Sequence, residues 1–197
     1  GRKTQLRGVS THGIQYDGGN YAKYVNLDAM RQLRDGFGVN MIRIAAYVKN
    51  TDGGGAGYID GNATLMDQTI QNAVTYANTL GMYVLIDWHI LGDGNPASSD
   101  QMNGAKVFFE KYSKMYQNDD HVLYEICNEP NGGTTWSTIK AYAKEIISII
   151  RKNDPEGLIC VGTPNYSAEP NTVIDNEVDQ PYNVLYSLHF YAGESAH

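Results

Sequence analysis

Apolar residues cluster in six short runs that start at about Leu6, Met41, Tyr83, Val122, Leu158 and Val184. The first five starts lie 35, 42, 39 and 36 residues apart, and the last gap is 26. Between the runs the apolar period changes. Met66, Ile70, Ala73, Val74, Ala77 and Leu80 follow the spacing of one helical face, with Gly81 placed to end the helix. Ala105, Phe108, Phe109, Tyr112 and Met115 repeat the pattern. So do Ile139, Tyr142, Ala143, Ile146 and Ile150, ahead of Asn153-Asp154-Pro155. Asn26 is placed to cap a helix over Leu27 to Phe37.

Strands alternating with helices predict an α/β fold with a parallel sheet. The runs Tyr83–Trp88 and Val184–Tyr191 are apolar at nearly every position, as a sheet covered on both faces requires. Two architectures satisfy this: an open doubly wound sheet and a closed (β/α)8 TIM barrel. A doubly wound nucleotide-binding sheet needs a glycine-rich loop after its first strand. Here that place holds Thr11-His12-Gly13-Ile14-Gln15. The glycine-rich stretch Gly53–Gly57 follows the second run instead, opens no helix directly and reads as a flexible loop, and no Gly-Lys-Ser/Thr follows any run. Nearly every strand ends in reactive or aromatic side chains: Ser10-Thr11-His12, Arg43 to Tyr47, Asp87-Trp88-His89, Asn128-Glu129-Pro130, Asn165-Tyr166 and His189-Phe190-Tyr191. A barrel gathers such ends at one mouth, so the barrel is the expectation. At most six strand–helix units are present, and eight take roughly 250 residues. Residues 1–197 are thus expected to be a single barrel domain truncated or split after its sixth strand, with two raw sheet edges.

Composition narrows the function. The formal net charge is −7 and no basic tract exceeds two residues, which argues against a nucleic-acid groove. No apolar run approaches the roughly 20 residues of a membrane helix. No signal-peptide pattern opens the chain, which is neutral for a mature secreted protein. Cys127 and Cys160 make no disulfide framework and read as buried free thiols. The five histidines, His12, His89, His121, His189 and His197, show no paired short spacing of a metal site. No Gly-x-Ser-x-Gly elbow is present. The 15 Tyr against 4 Phe suit surfaces that stack on sugars, though also ordinary half-buried positions.

Cleaving a sugar acetal needs a proton donor at the leaving oxygen and a second group on the opposite face. Glu129 is the best donor: it follows a strand over Val122–Cys127 and precedes Pro130, which cannot continue one. Asn128 beside it can bond a sugar 2-hydroxyl. Leu-Arg-Gly at 6–8, Arg-Ile-Ala-Ala-Tyr at 43–47, Ile-Asp-Trp-His at 86–89, Tyr-Glu-Ile-Cys-Asn-Glu-Pro at 124–130 and His-Phe-Tyr-Ala-Gly at 189–193 occur in that order. The ordered set resembles glycoside hydrolase family 5, in its bacterial endo-β-1,4-glucanase branch. The resemblance spans Leu6 to Gly193.

The resemblance implies a secreted, extracellular retaining endoglucanase acting on β-glucan polysaccharide or cello-oligosaccharide, with no metal or organic cofactor, nucleic acid or membrane involved. Glu129 would match the general acid/base and Asn128 the asparagine on the 2-hydroxyl. Arg43 would match the arginine that orients the nucleophile, with a buried ion pair to Glu125 as the structural alternative. His89 would line the site. His189 and Tyr191 would match the histidine and tyrosine of the sixth strand, Tyr191 bonding the nucleophile, unless both fill the core. His12, Tyr47 and Tyr166 would contact sugars on the non-reducing side of the cut. Trp88 and Asp87 read as packing and structure. The family's nucleophile, a glutamate ending the seventh strand, and the tryptophan ending the eighth have no match here; Glu194 lacks the motif. A companion chain carrying the seventh and eighth strands, a fragment, or self-assembly would each account for this. A β-mannanase, xyloglucanase or lichenase on the same fold, an inactive carbohydrate-binding fragment and an unrelated α/β enzyme are the competing readings.

Overall fold

A computed structural model describes residues 3–50, 54–92 and 94–193. Six parallel strands form one sheet in the order β1-β2-β3-β4-β5-β6. They are β1 (Gly8–Ser10), β2 (Met41–Tyr47), β3 (Tyr83–His89), β4 (Val122–Glu125), β5 (Leu158–Val161) and β6 (Val184–Tyr186). Among the described residues, four long helices lie between them: α1 (Leu27–Phe37), α2 (Ala63–Leu80), α3 (Ser99–Met115) and α4 (Trp136–Asn153). The chain divides into two compact units, Gly1–Asp87 with Asp119–Leu123, and Trp88–Asn118 with Tyr124–His197.

In the first unit, β1 pairs with β2 from Gly8↔Met41 to Ser10↔Arg43. β1 begins two residues later than the apolar run suggested, because Leu6 lies before the first paired residue. The Asn26 side chain accepts the Ala29 N–H at 2.9 Å and starts α1. Gly38, at φ 67°, ends it in the left-handed conformation. α1 packs on α2, and Arg34 Nη1 donates to the Leu80 carbonyl at 3.0 Å, satisfying an orphan acceptor at the end of α2. α2 buries Met66, Ile70, Ala73, Val74, Ala77 and Leu80, the stripe read from the sequence. The described part of the glycine-rich stretch is a packed loop. A Cβ on Gly54 would fall 2.2 Å from the Tyr16 ring, and one on Gly57 would fall 2.4 Å from the Lys49 backbone nitrogen. Close approach explains these glycines better than flexibility does.

In the second unit, α3 packs against α4. Phe108, Phe109 and Tyr112 of α3 are buried, and the Phe108 ring lies 4.8 Å from that of Trp88. Trp88 is therefore core, as expected. Cys127 is buried and Cys160 only half-buried, and neither is in a disulfide. β4 closes at Glu125, two residues short of the expected Cys127, although the Ile126 N–H still donates to Cys160 O at 2.9 Å.

β6 departs most from expectation. It pairs with β5 from Ile159↔Val184 to Val161↔Tyr186 and stops there, so His189 and Tyr191 lie beyond the strand. Leu185, Leu188, Phe190 and Tyr191 are exposed rather than covered on both faces. The side of β6 toward α4 is held by Tyr186, whose ring meets Trp136 edge-on at 5.6 Å. Before β6, Arg151 donates to Gly157 O at 2.6 Å and to Tyr182 O at 2.7 Å. Burial depresses the Arg151 pKa, opposed chiefly by the neighbouring Asp154 and Glu156 carboxylates.

Two glycines give opposite expected outcomes on substitution by alanine. Gly36 lies inside α1 with nothing within 4 Å of a Cβ, so Gly36→Ala should stabilise by about 0.5–1 kcal/mol. Gly162→Ala would put a Cβ 2.2 Å from the Cys127 carbonyl oxygen and should destabilise by roughly 1–3 kcal/mol. Urea unfolding of the two variants checks both signs.

Candidate functional site

In the first unit, Thr11 and Arg43 begin the site chemistry. The Thr11 N–H donates to the Arg43 carbonyl at 2.9 Å, and its hydroxyl oxygen accepts the Ala45 N–H at 3.0 Å. This ties the segment after β1 to β2. The Arg43 guanidinium donates to Ser10 Oγ at 3.1 Å and pairs with Asp87 at 2.9 Å. Asp87 is fully buried at the end of β3, so its structural reading holds as the counter-ion of Arg43.

His12 is exposed, and its ring is the centre of an aromatic cluster. Tyr16 meets it edge-on at 4.6 Å, and Tyr47 lies near-parallel at 6.3 Å. The Gly13 N–H donates to His12 Nδ1 at 2.8 Å, so the neutral ring carries its proton on Nε2. Tyr47 is buried and also meets Tyr16 edge-on at 5.6 Å. Its ring backs His12 instead of standing open as a platform. Tyr16 belongs to this cluster and was not singled out from the sequence; its position four residues after His12 in an aromatic-rich loop was the available signal.

In the second unit, Glu129 follows β4 with its side chain 14% exposed. Its Oε1 lies 2.9 Å from His189 Nδ1, a contact between residues 60 apart in the chain. An ionised carboxylate accepts here from Nδ1–H, which leaves Oε2 to carry a transferable proton when the carboxyl is protonated. Asn128 is buried. Its amide NH2 donates to Ile90 O at 2.9 Å and lies 3.3 Å from His89 Nε2. The Asn128 N–H donates to Trp88 O at 3.3 Å. His89 and Asn128 are thus brought together, as are Glu129 and His189.

Asn131 extends this edge. Its side-chain NH2 donates to Leu91 O and, at 2.9 Å, to Glu129 O. Its N–H donates to Gly94 O at 3.0 Å. A left-handed Gly94 allows the approach, since a Cβ there would fall 2.5 Å from Asn131 Oδ1. Asn131 and Ser167 did not stand out in the sequence, whereas Asn165 and Tyr166 of the turn Pro164–Ser167 did.

Tyr166 and Tyr191 are not packed into this arrangement. Tyr166 is 52% exposed with a left-handed backbone, its N–H donating to Pro130 O at 2.9 Å. Tyr191 is 70% exposed beyond the edge strand, so it does not fill the core. Glu194 lies outside the described residues. Among the described residues no cluster of three His, Cys, Asp or Glu could hold a metal, and no helix is long and apolar enough to cross a membrane.

A family model described as cellulase (glycosyl hydrolase family 5) matches residues 1–197. Endoglucanase N of Pectobacterium atrosepticum is 44% identical over 98% of this chain and 40% of its own length. The chain spans about two fifths of the length of the curated relatives it matches. Among solved structures, the catalytic domain of Thermobifida fusca endoglucanase Cel5A superposes with a TM-score of 0.83 at 35% identity, covering 95% of this chain and 59% of that one. A variant of the same domain in complex with cellotetraose gives a TM-score of 0.82 at 35% identity, with the same coverage.

The Arg43–Asp87 pair yields a stability test. Asp87→Ala should cost about 3 kcal/mol, toward the low end for a broken buried pair because Arg43 keeps some exposure. Ser10→Ala, which removes a neutral partner, should change stability by about 0.5 kcal/mol or less. Chemical denaturation of each variant measures the difference.

Proposed function

This chain belongs to glycosyl hydrolase family 5, and we propose that it carries the acid/base half of a retaining endo-β-1,4-glucanase. The observation that carries the proposal is the Glu129 carboxyl, set after β4 at 14% exposure with one oxygen held by His189. A partly buried carboxyl with one fixed oxygen can present the other to a leaving group.

In the first step Glu129 protonates the glycosidic oxygen while a carboxylate attacks the anomeric carbon and forms a glycosyl-enzyme. In the second, the ionised Glu129 takes a proton from water, which displaces the sugar with net retention. The attacking glutamate belongs to a seventh strand outside these 197 residues. The exposed apolar side chains around β6 suit burial by such a segment, from the same protein or a companion chain. Arg43 orients that nucleophile and Tyr191 bonds it, its exposed position leaving the hydroxyl accessible. Asn128 and His89 act together at the 2-hydroxyl side. His12, backed by Tyr47, and the exposed Tyr166 contact sugars on the non-reducing side.

Cello-oligosaccharide is the substrate class best supported, because a relative of similar fold binds cellotetraose. Endo-acting cleavage of the parent β-glucan polymer calls for a secreted, extracellular protein. The chemistry needs no metal or organic cofactor.

Glu129→Gln in the full-length protein should lower turnover of carboxymethylcellulose by about 10²–10⁴-fold with the fold intact. The purified 197-residue chain alone should show no turnover. Unchanged activity in Glu129→Gln contradicts the acid/base assignment, and hydrolysis by the isolated chain contradicts an external nucleophile.

A further inference from the structure

The turn Pro164–Ser167 runs against the preference of its own residues. Asn165, Tyr166 and Ser167 hold φ of 54°, 59° and 60° in succession. Asparagine tolerates this region, but left-handed backbone costs residues such as Tyr166 and Ser167 roughly 1–2 kcal/mol each. Such a run persists only where its surroundings over-determine it.

The hydrogen bonds that do so centre on Ser167, which is fully buried. Its hydroxyl donates to the Asn128 carbonyl at 2.7 Å and accepts the Thr163 N–H at 3.1 Å. Its own carbonyl accepts the His189 N–H at 2.8 Å. One residue earlier, the Tyr166 N–H donates to Pro130 O. Thr163 Oγ1 donates to Ser187 O at 3.1 Å, two residues before His189. Asn128 and Pro130 flank Glu129, and the His189 ring touches it. A backbone support on each side of the Glu129–His189 contact therefore runs through this turn, and Ser167 takes part on both sides.

We propose that Ser167 is a positioning residue for the Glu129 acid, setting the distance between the strand end that carries Glu129 and the segment that carries His189. The proposal rests on Glu129 being the acid/base. Ser167 is buried beneath the site and acts through Asn128 and His189. Loss of its hydroxyl takes a partner from the buried Asn128 carbonyl and Thr163 N–H and loosens one side of the contact. Displacing a proton donor by a fraction of an ångström weakens proton transfer while leaving sugar binding in place.

The test separates the hydroxyl from the turn. Ser167→Gly removes the hydroxyl and relieves the left-handed backbone, which glycine adopts freely. Ser167→Ala removes the hydroxyl and keeps the strain. Each is made in the full-length protein and assayed on cellotetraose, whose leaving group needs a proton, and on dinitrophenyl cellobioside, whose phenolate leaves without one. Both variants should lose roughly tenfold or more in kcat on cellotetraose, with KM within about twofold, while the first-turnover burst of dinitrophenolate, which reports glycosylation before any base-assisted hydrolysis, stays nearly unchanged. Wild-type kcat on cellotetraose in Ser167→Gly, or equal losses on the two substrates, overturns the proposal. If Ser167→Ala does not fold, Ser167→Gly decides alone. Glu129→Gln, run alongside, should show the same preference for the activated substrate. If it does not, the acid/base reading itself fails; if it does and the Ser167 variants do not, only the positioning role falls.

Discussion

The 2.9 Å contact between Glu129 and His189 joins two residues 60 apart, and much of the irregular backbone of the second unit is arranged around its two ends. Neither end lies inside a strand. Glu129 sits after β4 and His189 after β6, where ladder hydrogen bonds no longer fix the chain. Side-chain-to-backbone bonds and loop backbone bonds take over that task. Asn131 holds the Glu129 carbonyl, Ser167 holds the Asn128 carbonyl and the His189 N–H, and the Tyr166 N–H holds Pro130. Backbone strain in three successive left-handed residues is the cost of bringing these groups together.

A parallel sheet explains why chemistry collects after the strands. Each of β1 to β4 is followed by a helix that returns the chain, so these parallel strands leave the sheet at the same end. The residues beyond that end, freed from ladder bonds, can present side chains for other work. The buried Asp87 under Arg43 shows the contrasting case. There a strand-end carboxylate is spent on holding a cation rather than on reacting.

The regular elements were legible because their signals are local. The α1 cap at Asn26, the left-handed Gly81 after α2 and the apolar stripes of α2, α3 and α4 each depend on residues within a few positions of one another. The stripes read from the sequence begin three to six residues inside α2, α3 and α4, and the first residue of α4, the buried Trp136, lies outside its stripe. Glu129, Asn128, His89 and His189 were legible through the ordered motifs. Ser167 was not. A serine in a loop has no pattern, and its partner Asn128 is 39 residues away. The exposure of Leu185, Leu188 and Phe190 was equally hidden, because an apolar run does not say whether anything covers it.

The central claim is that Glu129 is the acid/base of a double displacement rather than its nucleophile. Azide rescue of Glu129→Ala in the full-length protein, with dinitrophenyl cellobioside as substrate, tests it most directly. The activated substrate forms the glycosyl-enzyme without an acid, and azide, which needs no general base, enters the space left by the carboxyl. The account predicts that azide restores the rate and that the product is the β-cellobiosyl azide. Absence of rescue, or an α-azide, would contradict it, the latter by making Glu129 the nucleophile.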